Sequence, residues 1–322
     1  MLYFILWMAL YCHFGGEAYT NVHLNMGKFW LRKQLHVVKA AVTGSNLYEN
    51  DLLALDFDGV VCDSSPESSV SAIKTMQDLW KLEPDDEEFN TVKDILMSLR
   101  PIIETGYENV LLARLALEEI RKSGGFDVEL MLRLWGGFVR DSFVETYGVD
   151  KETLIDAFGK TRDDFIAEEF ETWLDLNPIF PGIEKAFQKL HASKFELDNF
   201  FIITTKQERF VMEILKHKNL MMIPKKENLY GLENKIGSKA DILLYLTKNR
   251  LKDGQTIHFI EDRVETLVKI ADTPGLEKVN LYLVDWGYTT SEQKQVAKNN
   301  ERIKIIGKEQ FDEICERFCG VR

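Results

Sequence analysis

Cysteine is scarce in this sequence, with four residues in a chain of 322. The four (Cys12, Cys62, Cys315 and Cys319) form no Cys-x-x-Cys pair, and no histidine lies at zinc-ligand spacing from them. These absences exclude a disulfide scaffold and a cysteine-based zinc site, and they favour free thiols in a reducing compartment. Because none of the six histidines lies near a serine or cysteine motif, a nucleophilic triad has no support either.

Positive charge is also in short supply, since 40 basic residues face 52 acidic ones and the net charge is −12. This surplus of negative charge disfavours a nucleic-acid partner, although a local pocket can still attract a small anionic metabolite. The sequence has no internal repeat and no low-complexity tract. Its composition, 45% hydrophobic and 29% charged, is that of a folded protein, and its length suggests about two domains.

The first 48 residues differ from the rest of the chain. Their apolar run, Leu2–Cys12, is too short to span a bilayer, so we expect no stable membrane insertion. The following stretch, Ala18–Leu47, contains no acid and four basic residues scattered among apolar ones. This pattern is typical of an organellar targeting segment, for which we favour the plastid. The alternative is an N-terminal extension of a cytoplasmic protein.

The acidic excess lies in the middle of the chain, where residues 66–176 hold 12 basic and 25 acidic residues. The same segment has helical periodicity almost throughout, as in the apolar stripe from Leu154 to Leu174. Breaks are predicted at Pro84, Arg100–Pro101, Gly106, Gly124–Gly125 and Gly148. A shift in composition together with a single type of periodicity predicts an all-helical domain.

After Asn177–Gly182 the pattern changes to short apolar runs that alternate with helices. The runs predicted as strands are Phe200–Thr204, Leu229–Leu232, Thr256–Ile260, Val279–Val284 and Ile303–Ile306. Together with the apolar run Leu52–Leu55, this order predicts an α/β fold, a Rossmann-like doubly wound parallel sheet made of residues 49–65 and 177–322. The helical segment 66–176 would then be inserted as a cap after the first strand. Such sheets bind ligands at the carboxyl ends of their strands.

The most informative motif, Leu55–Ser64, follows directly after the first predicted strand. Because side chains alternate along an extended chain, Asp56 and Asp58 point to the same side. Two carboxylates this close repel each other unless a positive charge lies near them. A hard cation such as Mg²⁺ supplies that charge and keeps sites free for phosphate oxygens. A surface turn is the alternative, but Gly59 and the two acids follow a buried strand rather than join a hairpin.

Polar residues also end two later predicted strands. Thr204 can donate its hydroxyl to a phosphoryl oxygen, although threonine is common in strands for other reasons. Glu261 and Asp262 follow the run Thr256–Ile260, and adjacent acids in such a place suit a metal ion. A solvent-facing acidic turn is the alternative. Because parallel strands bring their carboxyl ends to one edge of a sheet, we expect these side chains to converge on Asp56.

In the order of these motifs the sequence resembles the haloacid dehalogenase-like (HAD) superfamily, most of whose members are phosphatases, and within it the plant and algal hydrolases. The resemblance covers Leu52 to about Phe318. It implies that Asp56 is a nucleophile that forms an aspartyl-phosphate, and that Asp58 first protonates the leaving oxygen and then activates water. Dehalogenase members lack the second aspartate, so Asp58 favours phosphoryl transfer over carbon–halogen cleavage.

The resemblance also assigns roles to the later motifs. It implies that Thr204 contacts the phosphoryl group and that a lysine before the next helix neutralises charge; of Lys235 and Lys239 we favour Lys239. It further implies an Mg²⁺ site at the first and fourth motifs. The predicted metal ligands are Asp56, Asp58 (through its backbone carbonyl), Asp262 and Glu261, which departs from the aspartate pair or Gly-Asp of the family.

Substrate contacts are predicted for Arg100, Thr205 and Lys206. Arg100 lies at a helix break and can bind a carboxylate or a second phosphate; the alternative is that it caps helix carbonyls. The sequence therefore predicts an Mg²⁺-dependent phosphatase that hydrolyses a small phosphorylated metabolite. A phosphomutase and a non-catalytic binding or assembly protein of the same fold stay open as alternatives, and the oligomeric state is not predicted.

Overall fold

The strands of the protein form a parallel sheet that is almost entirely buried. The computed structural model describes Tyr48 and residues 50–320, so Cys12 and, apart from Tyr48, the predicted targeting segment 1–48 lie outside the described residues. The strands in the described range are β1 (Leu52–Leu55), β2 (Phe200–Ile203), β3 (Leu229–Tyr230), β4 (Ile257–Glu261), β5 (Val279–Val284) and β6 (Ile303–Ile306). Their near-continuous apolar sequences are typical of parallel strands covered on both faces.

The strand order of this sheet is β3-β2-β1-β4-β5-β6, and every pairing is parallel. The chain leaves β1 to form β2 and β3 on one side, and later forms β4, β5 and β6 on the other side. The strand order therefore reverses between β1 and β4, and a crevice for ligands is expected at their carboxyl ends. The predicted α/β, Rossmann-like class is confirmed.

The register of the central strands decides which side chains meet at this crevice. Leu55 of β1 pairs with Ile260 of β4 on one side and with Ile202 of β2 on the other. Asp56 continues the same register, because its N–H donates to the carbonyl of Ile260. Glu261 is the next residue of β4, so the two acids lie side by side at the carboxyl ends of β1 and β4.

Between β1 and β2 the structure has an uninterrupted series of helices, called here the helical insertion (residues 65–175). Its helices are α1 (Ser65–Trp80), α2 (Asp86–Ser98), α3 (Glu108–Ser123), α4 (Val128–Leu134), α5 (Gly137–Tyr147) and α6 (Lys151–Asp175). They enclose an apolar cluster of their own, separate from the clusters on the sheet faces. The predicted breaks at Pro84, Arg100–Pro101, Gly106, Gly124–Gly125 and Gly148 all lie between helices, but the break at Trp135–Gly136, between α4 and α5, was not predicted.

The last helix of the insertion, α6, connects the two parts of the molecule. It is 25 residues long and kinked at Glu169, whose φ of −139° and ψ of 52° are not helical. In the first two turns of the helix, Leu154 and Phe158 pack into the cluster of the insertion. Phe165 and Trp173 instead pack into the cluster on one face of the sheet. The apolar stripe predicted for this helix thus serves two cores rather than one.

Helices after the insertion cover both faces of the sheet. They are α7 (Ile183–Ala192), α8 (Glu208–His217), α9 (Lys239–Asn249), α10 (Val264–Ala271), α11 (Ser291–Lys298) and α12 (Lys308–Phe318). The predicted elements lack α7, although its buried residues Ile183, Ala186, Phe187 and Leu190 have helical spacing. Among the described residues, no helix is both long enough and apolar enough to cross a bilayer.

Candidate active site

Lys239 joins two acids at the edge of the sheet. Its Nζ lies 2.8 Å from Oδ2 of Asp56 and 2.7 Å from Oε2 of Glu261. Lys239 is the first residue of α9, whose start is fixed by a capping box between Ser238 and Asp241. Lys235, the other candidate from the sequence, is exposed. The helix start therefore brings Lys239, and not Lys235, to the acids.

Three buried carboxylates meet beside this lysine. Asp56, Glu261 and Asp262 each offer an oxygen, and these oxygens all lie within 4.8 Å of one another. Glu261 accepts hydrogen bonds from the backbone N–H groups of Asp262 and Arg263. Asp262 accepts from the N–H of Tyr288 at 3.0 Å. Asp56 accepts from the N–H of Phe57 at 2.7 Å, so backbone donors hold all three carboxylates in place.

The surroundings of these acids disfavour their ionised forms. Burial and the nearby charge of Glu261 raise the pKa of Asp56 to about 7, even though Lys239 lowers it. Burial also raises the pKa values of Glu261 and Asp262 above their usual range. One ammonium group does not compensate three carboxylates, so the cluster has the chemistry of a site for a divalent cation with oxygen ligands.

Asp58 has different neighbours. Its Oδ1 lies 3.4 Å from Nζ of Lys206, and its carboxylate is not part of the group of three around Asp56. Burial by itself raises the pKa of Asp58, but Lys206 and Arg100 outweigh this effect and bring the pKa below its usual value. Of the predicted ligands, Asp58 would therefore contribute its backbone carbonyl rather than its carboxylate.

The segment after β2 turns back on itself. The N–H of Thr204 donates to the carbonyl of Tyr230, and its hydroxyl accepts from the N–H of Lys206. Thr204 is buried and belongs to this turn. The hydroxyl of Thr205 donates to the carbonyl of Glu104 in the helical insertion. The side chain of Lys206 is only 1% exposed, deeper than expected of a residue that contacts substrate.

A cavity of about 210 Å³ lies over the acids. The residues of the sheet edge that line it include Asp56, Asp58, Thr205, Lys239 and Asp262. The helical insertion supplies the opposite wall with Arg100, Ile103 and Glu104. A larger cleft of about 540 Å³ shares Glu104, Arg263 and Glu265 with the cavity. Four of the six residues predicted from the sequence for catalysis or metal binding (Asp56, Asp58, Lys239 and Asp262) therefore border one space. Glu261 and Thr204 do not line it, because both are buried in hydrogen bonds to neighbouring backbone N–H groups.

Arg100 reaches from the helical insertion to the core. Its guanidinium lies 4.3 Å above the centre of the Tyr288 ring, and Nη1 donates to the carbonyl of Ile103. The expectation that it caps a carbonyl is thus met. Its Nε is buried and has no hydrogen-bond partner, and the side chain lines the cavity. The contact with a carbonyl is thus shown, and substrate binding by Arg100 stays a prediction.

Two glycines let the backbone approach Asp262. Gly59 has a φ of +83°, and a Cβ there would overlap the carboxylate of Asp262. A Cβ on Gly287 would lie 2.5 Å from the Cβ of Asp262 and 2.6 Å from the carbonyl oxygen of Gly59. Both glycines are needed for this packing, since any side chain would displace the acid.

Tyr288 is a residue of the site that was not predicted from the sequence. Its hydroxyl donates to Asp63 and accepts from the N–H of Ser65, while its own N–H holds Asp262. It lies in the loop that follows β5, and the rule that ligand sites lie at the carboxyl ends of parallel strands points to this loop but not to one residue in it. Glu67 and Arg162, which lie beside Asp58, were also missed, and no pattern in the sequence distinguishes them from surface charges.

Comparisons with known proteins agree with the fold. No protein-family model and no curated protein matches the sequence. Among solved structures, the chain is similar to a predicted phosphoglycolate phosphatase from Haemophilus somnus 129PT, with 13% identity, a TM-score of 0.50 and coverage of 84% of this chain and 99% of that one. This likeness shows the fold.

Two further solved structures are similar at slightly lower scores. One is a predicted phosphatase from Clostridium acetobutylicum, with 19% identity, a TM-score of 0.48 and coverage of 83% of this chain and 97% of that one. The other is a haloacid dehalogenase-like hydrolase from Streptococcus pneumoniae, with 15% identity, a TM-score of 0.47 and coverage of 80% and 95%.

Proposed function

We propose that this protein is an Mg²⁺-dependent phosphatase of the HAD type, which hydrolyses a small phosphomonoester through an aspartyl-phosphate on Asp56. The observation that carries the proposal is the meeting of Asp56, Lys239, Glu261 and Asp262 at one end of the sheet, with Asp58 on the same cavity. A nucleophile, a proton donor, a cation and a metal-binding cluster are the groups that phosphoryl transfer needs.

The acid cluster fits a magnesium ion. Asp56, Glu261 and Asp262 would hold it with their carboxylates, and Asp58 with its backbone carbonyl. When bound, Mg²⁺ supplies positive charge that favours the ionised carboxylates and attracts phosphate oxygens. Burial first, and the neighbouring carboxylates second, raise the pKa values of all three acids, and this supports the assignment because a bound cation would favour the ionised forms.

In the first step an oxygen of Asp56 attacks phosphorus, and the bond from phosphorus to the leaving oxygen breaks. Asp58, two residues further on, donates its proton to that leaving oxygen. The negative charge of the bound phosphate favours the protonated form of Asp58 at this moment. Lys239 offsets the charge that accumulates between Asp56 and the phosphoryl oxygens, and Thr205, which lines the cavity at the end of β2, would donate to those oxygens through its backbone N–H.

In the second step Asp58 accepts a proton from water, and the oxygen of that water attacks phosphorus. The bond between phosphorus and Asp56 breaks, which releases inorganic phosphate and restores the carboxylate. The helical insertion would act as a cap in this reaction, because closing a cavity over the acids excludes bulk water and strengthens the interactions inside.

The space around the site supports a small substrate. The cavity of about 210 Å³ accommodates the phosphoryl group and its nearest atoms, and the adjoining cleft leaves room for a sugar-sized leaving group. The unpartnered Nε of Arg100 favours a leaving group with an acceptor or a second negative charge. Sugar phosphates, nucleotides and phosphoglycolate-like acids are therefore the substrates to try first.

The direct test is the release of inorganic phosphate from a broad panel of phosphorylated metabolites. We expect turnover of at least one alkyl phosphate in the presence of Mg²⁺ and none after the metal has been removed with a chelator. Inactivity on the whole panel and on aryl phosphates, with Mg²⁺ present and the protein folded, would contradict the proposal and favour a binding protein of the same fold.

We also propose that residues 1–48 are an organellar targeting segment, with the plastid as the favoured compartment. The support is the sequence pattern of this stretch, which has a net positive charge and one acid. Sequencing the N-terminus of the natural protein tests this: a start well after Met1 is expected, and a start at Met1 would contradict it.

A further inference from the structure

A second group of buried charges lies beside Asp58, away from the metal-binding acids. Lys206 has its Nζ 3.4 Å from Oδ1 of Asp58 and 3.6 Å from Oε2 of Glu67. Glu67 in turn is bound by Arg162, with contacts of 2.9 and 3.0 Å to its two oxygens. The side chains of Lys206, Glu67 and Arg162 are 1%, 0% and 5% exposed.

These four residues come from both parts of the molecule. Asp58 and Lys206 follow β1 and β2 of the sheet, whereas Glu67 lies in the first turn of α1 and Arg162 lies in α6. The chain of charges therefore crosses the contact between the sheet and the helical insertion. Its geometry depends on how the insertion is seated on the sheet.

Glu67 is well supplied with donors even without the lysine. Arg162 binds both of its oxygens, and the hydroxyl of Ser71 donates to it at 2.7 Å. By contrast, Nζ of Lys206 and Oδ1 of Asp58 are buried and make no hydrogen bond. A buried ammonium without hydrogen bonds is costly to the fold. The position of Lys206 between two carboxylates therefore fits a role in holding Asp58 better than a role in stabilising the fold.

Direct contact with substrate explains the position of Lys206 less well. Its side chain does not line the cavity of about 210 Å³ that holds Asp56 and Lys239, but borders a much smaller space of about 30 Å³. Asp58 lines both spaces. Lys206 would thus influence the reacting groups only through its contact with Asp58.

We propose that Lys206 is a positioning residue, which holds the carboxylate of Asp58 in the cavity while Glu67 and Arg162 of the helical insertion hold the lysine. The proposal rests on the proposed function, because it assumes that Asp58 protonates the leaving oxygen. It predicts that the loss of Lys206 lowers kcat/KM mainly for substrates whose leaving group needs that proton.

The test compares two leaving groups in wild-type protein and in Lys206→Met, which removes the charge and keeps the length of the side chain. The probes are glycerol 2-phosphate, whose alkoxide needs protonation, and 2,4-dinitrophenyl phosphate, whose phenolate leaves without it. The readout is kcat/KM, which reports the steps up to transfer of the phosphoryl group to Asp56. We expect a fall of about 100-fold or more on glycerol 2-phosphate, as for the loss of general acid catalysis, and about 5-fold or less on the dinitrophenyl ester.

Two controls separate positioning from folding. Lys189→Met removes another lysine that lies between two carboxylates, Asp312 and Glu316, on the outer surface, and should change neither value. Lys206→Arg keeps the charge and should recover part of the activity on glycerol 2-phosphate. In addition, Lys206→Met should cause no further loss on that substrate when Asp58 is already asparagine.

The possible results distinguish a failure of the positioning role from a failure of the proposed phosphatase activity. Equal losses of kcat/KM on both probes, or a rise of KM alone, would overturn the positioning role and favour direct phosphate binding or a structural role. If Lys206→Met does not fold, Glu67→Gln keeps the size of the anchoring side chain, and it should give the same preference for the dinitrophenyl ester with a smaller loss; a uniform loss overturns the inference. Wild-type protein that hydrolyses neither probe nor any phosphate of the metabolite panel with Mg²⁺ would instead overturn the proposed phosphatase.

Discussion

Asp56 and Asp58 lie two residues apart at the end of one strand, yet their surroundings differ in charge. Around Asp56, three carboxylates share one ammonium group, that of Lys239. Around Asp58, each carboxylate has its own cation, since Lys206 lies against Asp58 and Arg162 binds Glu67. The pKa of Asp56 is accordingly raised to about 7, whereas that of Asp58 is lowered.

This difference shows in which part of the site the charges are balanced by groups of the protein alone. The charges around Asp58 balance within the protein, so its position is determined by the chain itself. The three carboxylates around Asp56 outnumber the one ammonium group that contacts them, and a divalent cation would offset their charge when they are ionised. Environments that separate the pKa values of two neighbouring acids are a common basis for giving them different catalytic roles.

The largest expected effect comes from replacing Asp56, the acid that belongs to the proposed metal-binding cluster. Asp56→Asn should reduce kcat/KM by a factor on the order of 10⁴ or more on both alkyl and dinitrophenyl phosphates, because the nucleophile is lost for every substrate. Asp58→Asn should instead spare the dinitrophenyl ester, since only the alkyl leaving group needs a proton. Steady-state kinetics on the two probes measures both values. Similar losses for the two variants on both probes would remove the distinction between the acids.

The next effect concerns the cation shared by Asp56 and Glu261. Lys239→Met should lower kcat by about 10²- to 10³-fold in saturating Mg²⁺, as expected for the loss of one charged donor aimed at the phosphoryl group. Lys235→Met is the matched control, because that lysine is exposed and only four residues away. Phosphate release by both variants tests this, and equal activity of the two would contradict the position given to Lys239.

A smaller effect is expected where the backbone packs against Asp262. Gly287→Ala should destabilise the fold by about 1–3 kcal/mol and weaken Mg²⁺ binding, because the added Cβ meets Asp262 and Gly59. Gly125→Ala is the control, since a Cβ there meets nothing within 4 Å, and its effect should stay within about 0.5 kcal/mol. Chemical denaturation with and without Mg²⁺ gives both quantities. Unchanged metal binding in Gly287→Ala would show that Asp262 tolerates displacement.

The smallest effect is a change of metal-dependent stability with pH. The folded-state pKa of Asp56, about 7, lies above the value of an unfolded aspartate, so without metal the stability it contributes falls as pH rises through 7. Mg²⁺ competes with the proton for the same carboxylate. The rise in Tm on adding Mg²⁺ should therefore be larger at about pH 8 than at about pH 6. Asp262→Asn should reduce this rise, and a Tm shift that decreases with pH would contradict the account.

The sequence was sufficient to predict the fold and the Asp56 side of the site. Asp56, Lys239 and Asp262 each lie at a strand end or a helix start, and parallel strands bring such positions together whatever the details of packing. The apolar runs that form β5 and β6 have the same bounds in the sequence and in the structure. Local pattern and topology are enough for residues of this kind.

The Asp58 side could not be predicted in the same way. Glu67 and Arg162 are 95 residues apart and lie on helices of the insertion, where a charged residue is normally solvated. Which of the many charged residues becomes buried depends on how α1 and α6 dock on the sheet, and helical periodicity gives a face but not its partner. The same reason explains why Lys206 lies deeper than its motif suggested.

We propose that Asp56 carries the phosphoryl group during turnover, and mass spectrometry tests this role most directly. Protein mixed with a substrate phosphate and Mg²⁺ is quenched in acid within milliseconds and digested, and the peptide that contains Asp56 is weighed. We expect this peptide to gain one phosphoryl group, and the gain to disappear without Mg²⁺ and in Asp56→Asn. Turnover with the phosphoryl group on another residue, or undiminished turnover by Asp56→Asn, would contradict it.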